Sequence, residues 1–179
     1  IKSKMIAEKA SVNVVPGFIG EINNVNHAKE IAKKIGFPVI VKASAGGGGK
    51  GMRIVNREED VEEAFLRASS EAKNSFGDER LFVEKYLVEP RHIEIQIIAD
   101  NYGNVVSLGE RECSIQRRNQ KVIEEAPSSF LDEKLRRDMS KQAIMLAEEV
   151  EYSSAGTVEF IVDKYKNFYF LEMNTRLQV

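Results

Sequence analysis

The 179-residue chain has no tryptophan, a single cysteine, two histidines and four prolines. One cysteine, Cys113, excludes an internal disulfide and fits a reducing compartment. Its strand context reads it as a small apolar residue rather than a reactive thiol. No apolar run approaches the ~20 residues a bilayer span needs, and no signal peptide is visible. Charge of one sign is also missing: 26 Lys+Arg against 28 Asp+Glu leave a net −2. No global field therefore argues for nucleic acid or a membrane surface. With 42% hydrophobic and 30% charged residues, the composition is that of a globular protein of one domain or two small lobes. The chain opens inside an amphipathic pattern, IKSKMIAEKA, and stops at Leu-Gln-Val without a cap. It is therefore expected to be a fragment, truncated at both ends.

Periodicity predicts an α+β order. After the opening helix come a turn at Val14–Gly17, a helix over 26–35 ended by Gly36, and strands over 37–42 and 52–55. Asn56 is expected to cap the next helix, with Glu59 at the capping-box position. Strands follow over 81–87, 91–99 and 105–111, then a helix over 132–151 and a hairpin of 157–163 with 168–174. The order suggests two lobes that split near Tyr86.

Five of the 12 glycines fall within six positions, in KASAGGGGKGM. The spacing at Gly46, Gly48 and Gly51 fits G-x-G-x-x-G, but a strand follows where a dinucleotide site needs a helix. Walker A fails too, with Ser44 at its first glycine and Gly51 where Ser or Thr belongs. What remains is a flexible strand–loop–strand flap. Its glycines let backbone N–H groups approach an anion, and Lys42 and Lys50 add positive charge.

A regular final hairpin pairs Asp163 with Phe168, Ile161 with Phe170, Glu159 with Glu172 and Thr157 with Asn174. Facing glutamates destabilise a strand pair unless a cation compensates them. Ile161, Phe168 and Phe170 on the same face argue that the pair is buried. Two carboxylates with the Asn174 amide suit a hard divalent ion such as Mg²⁺, with Mn²⁺ as a substitute. The same face continues to Arg176 and Gln178, where an anion would sit beside the metal. The tract Glu110–Glu125 concentrates Arg117, Arg118 and Lys121 without interleaved aromatics, which favours small anions over single-stranded nucleic acid. His92, in PRHIEIQ, is a candidate ligand contact.

Together the flap, the strand ending EKYL and the Glu…Glu-x-Asn hairpin resemble an ATP-grasp fold. More narrowly, VKASAGGGGKGM, EKYLVEPRHIEIQ, GERECSIQRRNQKVIEEAP and FLEMNTRLQV resemble the biotin carboxylase component of biotin-dependent carboxylases. The resemblance covers nearly the whole chain. Asn119 in RRNQK and the phrase YSSAGTVEF are most similar to propionyl-CoA carboxylase α-subunits, an acetyl-CoA carboxylase being the alternative; many relatives carry His at position 119.

The resemblance implies a lid subdomain over 14–86, a central subdomain over 87–179 and, over 1–13, the end of a linker helix. It implies that Lys42 holds ATP phosphates while Gly48 and Gly49 close over them. Glu84, Lys85, Tyr86 and Leu87 would form the hinge, the backbone of Lys85 and Leu87 reading the adenine. His92, Gln116 and Asn119 would lie along the nucleotide, and Glu159, Glu172 and Asn174 would carry the metal. Lys121, Arg176, Gln178 and the backbone of Val179 would bind bicarbonate, with Arg176 and Lys121 catalytic. The implied reaction is phosphorylation of bicarbonate by Mg-ATP to carboxyphosphate, which then carboxylates biotin. A biotin carrier domain, a carboxyltransferase subunit and a homo-oligomer are the implied partners. The implied location is the cytoplasm, or the mitochondrial matrix in a eukaryote.

In that family an ATP-binding lysine would immediately precede Ile1 and a general-base glutamate would follow Val179. The chain alone is therefore expected to turn over little. Two other readings stay open: a different ATP-grasp ligase, of the carbamoyl phosphate synthetase or D-alanine–D-alanine ligase kind, and a non-catalytic nucleotide-binding regulatory module.

Overall fold

The computed structural model describes residues 2–18, 20–22, 24–45 and 50–178. Gly48, Gly49 and Val179 lie outside these residues. The described chain divides into two compact units, one of residues 15–87 and one of residues 2–14 with 88–178.

In the first unit, α2 (Val25–Ile35) starts at Asn24, whose side-chain oxygen accepts from the His27 N–H at 3.0 Å. It ends at Gly36 with φ of 82°, the left-handed half of the map that glycine tolerates. Strand β1 (Val39–Ala43) begins only after Pro38, which has no N–H to give a ladder. It is central in an antiparallel sheet ordered β2 (Met52–Val55), β1, β3 (Leu81–Lys85). Helix α3 starts at Val61 and runs to Phe76. The expected cap at Asn56 is displaced: Glu58–Asp60 form a 3-10 turn, so Glu59 sits inside that turn. Arg57 draws the turn together through ion pairs with Glu59 and Asp60. The core joins Val39, Val41, Val55, Leu81 and Val83 to Ala28, Ile31, Ala68 and Ala72.

The second unit is a five-stranded antiparallel sheet ordered β6-β5-β4-β7-β8. Its strands are β4 (Arg91–Ala99), β5 (Val105–Arg117), β6 (Gln120–Glu125), β7 (Ser154–Val162) and β8 (Phe168–Asn174). One face buries Ile93, Ile95, Ile97, Val158, Phe160 and Phe170 against Met139 and Leu146 of α4 (Glu133–Glu149). Helix α1 (Lys2–Lys9) adds Ala7 to the same core. Strand β6 is not anticipated by the sequence reading. The chain reverses at Arg118 and Asn119, with φ of 51° and 65°. A two-residue turn with both φ positive matches strand twist, but it is commonly announced by Asn-Gly.

The last hairpin departs from regular register. Thr157 pairs with Asn174 and Glu159 with Glu172, but then Phe160 pairs with Phe170 and Val162 with Phe168. Leu171 is the extra residue of a β-bulge. The expected pairs Ile161–Phe170 and Asp163–Phe168 do not form. The bulge lets Phe168 and Phe170 join Phe160 in the core while Glu172 and Asn174 stay on the open face.

Two hairpins of this sheet close with the same loop. In Asp100–Asn104, Asp100 accepts from the N–H groups of Tyr102 and Asn104 at 2.8 and 2.9 Å and from the Asn104 side chain at 2.7 Å. In Asp163–Asn167, Asp163 accepts from Tyr165, Asn167 and the Asn167 side chain at 2.8, 2.9 and 2.9 Å.

Candidate functional site

The open face of the five-stranded sheet carries a row of charge. Four residues are consecutive Cα partners across four strands: Arg111 on β5, Glu94 on β4, Glu159 on β7 and Glu172 on β8. Partners directly opposite in an antiparallel ladder point to the same face, so three carboxylates lie side by side. Glu94 and Glu159 are almost wholly buried, at 1% and 2% exposure, where an unpaired charge would cost several kcal/mol.

Protein cations fill the first two gaps of the row. Arg111 donates from Nη2 to Glu94 Oε2 at 2.9 Å. Lys121, from the edge strand β6, spans the next gap, donating to Glu94 Oε1 and, at 2.7 Å, to Glu159 Oε1. The third gap, between Glu159 and Glu172, receives no lysine or arginine among the described residues. Glu172 is exposed.

Glu159 collects further partners. His92 Nε2 lies 2.7 Å from its Oε2, and the Asn174 side chain donates to its Oε1. Burial pushes the Glu159 carboxyl up, but the hydrogen bonds and charges of His92 and Lys121 outweigh it and hold the group below its ordinary range. On the other side of the ring, His92 Nδ1 meets Gln116 Nε2 at 3.0 Å, and that amide also donates to the Cys113 carbonyl at 2.8 Å. His92, Glu94 and Glu159 bring one potential ligand atom each within 4.8 Å of one another.

The donor set fits a divalent cation at the third gap. One carboxylate there is held ionised and the other faces solvent, with an amide one register step away. Two carboxylates with room for waters or phosphate oxygens suit Mg²⁺.

The other expected site residues divide as follows. In the first unit the Lys42 ammonium donates to the buried Glu84 carboxylate, a diagonal pair across β1 and β3. Lys85 turns its ammonium to the Gly36 and Phe37 carbonyls, at 2.9 Å each, which caps the end of α2, and its N–H bonds the Pro16 carbonyl at 2.7 Å. The Tyr86 N–H bonds the Pro38 carbonyl at 3.1 Å, and Leu87 is half-buried. Gly51 ends the flap with φ of 67°, and any Cβ there would meet that of Ala43 at 2.7 Å. In the second unit Asn119 is exposed at the β5–β6 turn. Arg176 is exposed too, its guanidinium 3.3 Å from the Gln178 side-chain oxygen. The structure therefore brings Lys121, His92, Gln116, Glu159, Glu172 and Asn174 together around one row.

Sequence reasoning missed Glu94 and Arg111. The signal existed in HIEIQI, where His92, Glu94 and Gln96 alternate with Ile93, Ile95 and Ile97. Strict alternation puts those three polar residues on one face, so Glu94 and Gln96 share the face of His92. Glu110 and Glu112 of the same basic tract serve the opposite side. They are buried and pin Ser128, Arg136 and Arg91.

The family described as carbamoyl-phosphate synthase L chain, ATP binding domain, matches residues 1–179. The propionyl-CoA carboxylase alpha chain of Ruegeria pomeroyi is 62% identical over all of this chain and 26% of its own length. The mitochondrial counterpart of Homo sapiens is also 62% identical, over 25% of its length. The chain thus spans about a quarter of these curated relatives. Among solved structures, a biotin carboxylase–β-γ-ATP complex from Campylobacter jejuni superposes with a TM-score of 0.94 at 53% identity, over 99% of this chain and 40% of that one. The biotin carboxylase domain of Hydrogenobacter thermophilus 2-oxoglutarate carboxylase, in complex with MgADP, ADP and bicarbonate, gives 0.92 at 50%, over 99% and 39%. The two-sheet α+β fold is therefore the ATP-grasp arrangement of biotin carboxylases.

Proposed function

We propose, for a chain that belongs to the carbamoyl-phosphate synthase L chain ATP-binding domain family, that it carries the ATP- and bicarbonate-handling part of a biotin carboxylase. The observation that supports this most is the row Arg111–Glu94–Glu159–Glu172, with protein cations in its first two gaps and none among the described residues in its third. A buried carboxylate beside an exposed one, next to a lysine and an arginine, suits a divalent cation with two anions, phosphate and bicarbonate. The Hydrogenobacter thermophilus relative is named as a complex with MgADP and bicarbonate, which is the ligand set this row would take.

In this reading Lys42, held by Glu84, binds ATP phosphates, and Gly48 and Gly49 cover them. Glu84, Lys85, Tyr86 and Leu87 form the adenine hinge, and His92, Gln116 and Asn119 lie along the nucleotide. Glu159, Glu172 and Asn174 hold Mg²⁺, which neutralises phosphate charge when bound. Lys121, Arg176, Gln178 and Val179 orient the bicarbonate oxygen toward the γ-phosphorus. That oxygen forms the new P–O bond as ADP leaves, giving carboxyphosphate, whose carboxyl passes to biotin and releases phosphate. Phosphoryl transfer of this kind needs positioning and charge neutralisation more than covalent catalysis.

Residues 14–86 act as the lid subdomain and 87–179 as the central one, with 1–13 a helix leading in. Propionyl-CoA is the final acceptor in this reading, on the 62% identity to propionyl-CoA carboxylase alpha chains. A biotin carrier, a carboxyltransferase and a second copy of the chain are its partners. No helix among the described residues is long and apolar enough to cross a membrane; the proposed location is the cytoplasm, or the mitochondrial matrix of a eukaryote.

The test is ADP release from Mg-ATP and bicarbonate, with and without free biotin. The protein assayed carries this chain in place of the matching residues of the Ruegeria pomeroyi relative. Strong stimulation by biotin is expected. A flat response with normal ATP binding would overturn the reading in favour of another ATP-grasp ligase or a silent nucleotide sensor.

A further inference from the structure

We infer that Arg111 is a positioning residue for Lys121, acting through Glu94; the inference deepens the proposed function and rests on it for the identity of the anion. Glu94 has two carboxylate oxygens, and the sheet assigns each to a different cation. Oε2 takes Arg111 Nη2 at 2.9 Å and Oε1 takes the Lys121 ammonium. Lys121 in turn divides itself between Glu94 and Glu159, 2.7 Å from the latter. The ammonium position is thus a balance between two buried carboxylates, and Arg111 acts on one side of that balance.

Arg111 is itself held in a frame drawn from three strands. Its Nη1 donates to Gln96 Oε1 at 2.9 Å, and its Nη2 also lies 3.4 Å from Thr157 Oγ1. Thr157 Oγ1 donates to the same Gln96 oxygen at 3.1 Å, and the Gln96 amide nitrogen donates to the Gly156 carbonyl at 2.8 Å. Glu124 adds a looser ion pair, 3.5 Å from Nε. Both terminal nitrogens are engaged, so the guanidinium is committed to the sheet and does not offer itself to a substrate. Its contact with Glu94 is single-pronged, so the essential contribution there is a positive charge.

The physical consequence is direct. A carboxylate shared by two cations holds each less strongly than a carboxylate with one. Without Arg111, the buried Glu94 keeps Lys121 as its nearest cation, with the His92 ring nitrogen farther off at 3.7 Å, and draws the ammonium off Glu159, away from the metal gap where the anion would lie. Bicarbonate handling suffers, while nucleotide contacts in the first unit and at His92 are untouched.

The experiment compares Arg111→Met and Arg111→Lys with the parent in the same hybrid carboxylase. Arg111→Met is expected to raise the bicarbonate KM about tenfold and lower kcat, with the ATP dissociation constant within twofold. Arg111→Lys keeps the charge beside Glu94 and is expected to recover most of that loss. If Arg111 were merely structural, bicarbonate and ATP parameters would decline together and Arg111→Lys would rescue neither selectively; that result, or no effect of Arg111→Met, overturns the inference. A second readout, on this chain alone, needs no turnover: modification of Lys121 by acetic anhydride, followed peptide by peptide by mass spectrometry. Arg111→Met is expected to slow that modification severalfold, because Glu94 then holds the ammonium more closely. Faster modification means the site has loosened, and it counts against the inference even if the biotin reading itself stands.

Discussion

Glu94 and Glu159 are Cα partners on adjacent strands, both buried, and one ammonium, that of Lys121, bonds a carboxylate oxygen of each. A native sheet places two such anions face to face only with a cation supplied across them. The energetics of the open face follow from this relationship.

Replacing Lys121 by Met removes that cation and leaves two facing buried carboxylates. Breaking a buried ion pair from one side costs about 3–5 kcal/mol. A loss near 3 kcal/mol is expected by urea denaturation, with turnover abolished in the hybrid carboxylase. Adding Glu94→Gln to Lys121→Met should return part of the stability. A double variant no more stable than the single one would mean that the two carboxylates are not the source of the loss.

Glu172 behaves differently, because it is exposed and has no lysine or arginine paired with it among the described residues. Glu172→Gln is expected to change unliganded stability by no more than about 0.5 kcal/mol. The thermal stabilisation that Mg-ATP gives the parent should largely disappear. If Glu172→Gln melts as early without ligand as Glu159→Gln, the carboxylate is structural and the metal assignment at the third gap fails.

Cys113 lies buried on β5, and burial first, with nearby carboxylates, pushes its thiol up to about 12. The thiolate is the reactive form. Alkylation at pH 8.5 should therefore be roughly a thousandfold slower in the folded protein than in urea. Mass spectrometry after iodoacetamide treatment reads this, and rapid labelling of the folded chain would contradict it.

Glu112 gives the protein a defined acid sensitivity. Burial raises its carboxyl, but hydrogen bonds from Ser128, Arg91 and Ser114 prevail and hold it below its ordinary value of 4.5. A depressed folded value means stability that is present above the unfolded value and lost as pH falls through the folded one. Glu112→Gln should therefore cost stability at pH 7, and the difference from the parent should shrink as pH falls below 4.5. Urea denaturation at pH 7 and in the acid limb checks it; a gap that stays constant would show that packing, not charge, makes the difference.

Much of this site is legible from residue order because strand alternation is a strong constraint. Glu159 opposite Glu172 and Thr157 opposite Asn174 follow from counting outward from the KYKN turn. The count fails nearer the turn, where Phe160 pairs with Phe170 and Val162 with Phe168, because it carries no information about the bulge at Leu171. Only the demand of Phe168 and Phe170 for the core reveals that. Strand β6 was missed because Arg118-Asn119 is an unusual pair for a turn with two positive φ values. Glu94 and Arg111 escaped for a different reason. Alternation alone puts Glu94 on the face of His92, but its partnership with Arg111 appears only when the register sets them opposite one another.

The loops Asp100–Asn104 and Asp163–Asn167 have one chemistry but opposite addresses. The first leaves the end of β4 where Ala99 pairs with Ser154, and the second leaves the end of β7 where Val162 pairs with Arg91. Nine-residue strands separate them, about 30 Å at the usual rise. Their tyrosines, Tyr102 and Tyr165, are exposed. In a chain without tryptophan, the sheet thus carries a built-in ruler: two matched spectroscopic handles at its opposite ends, each able to take an indole without a competing signal.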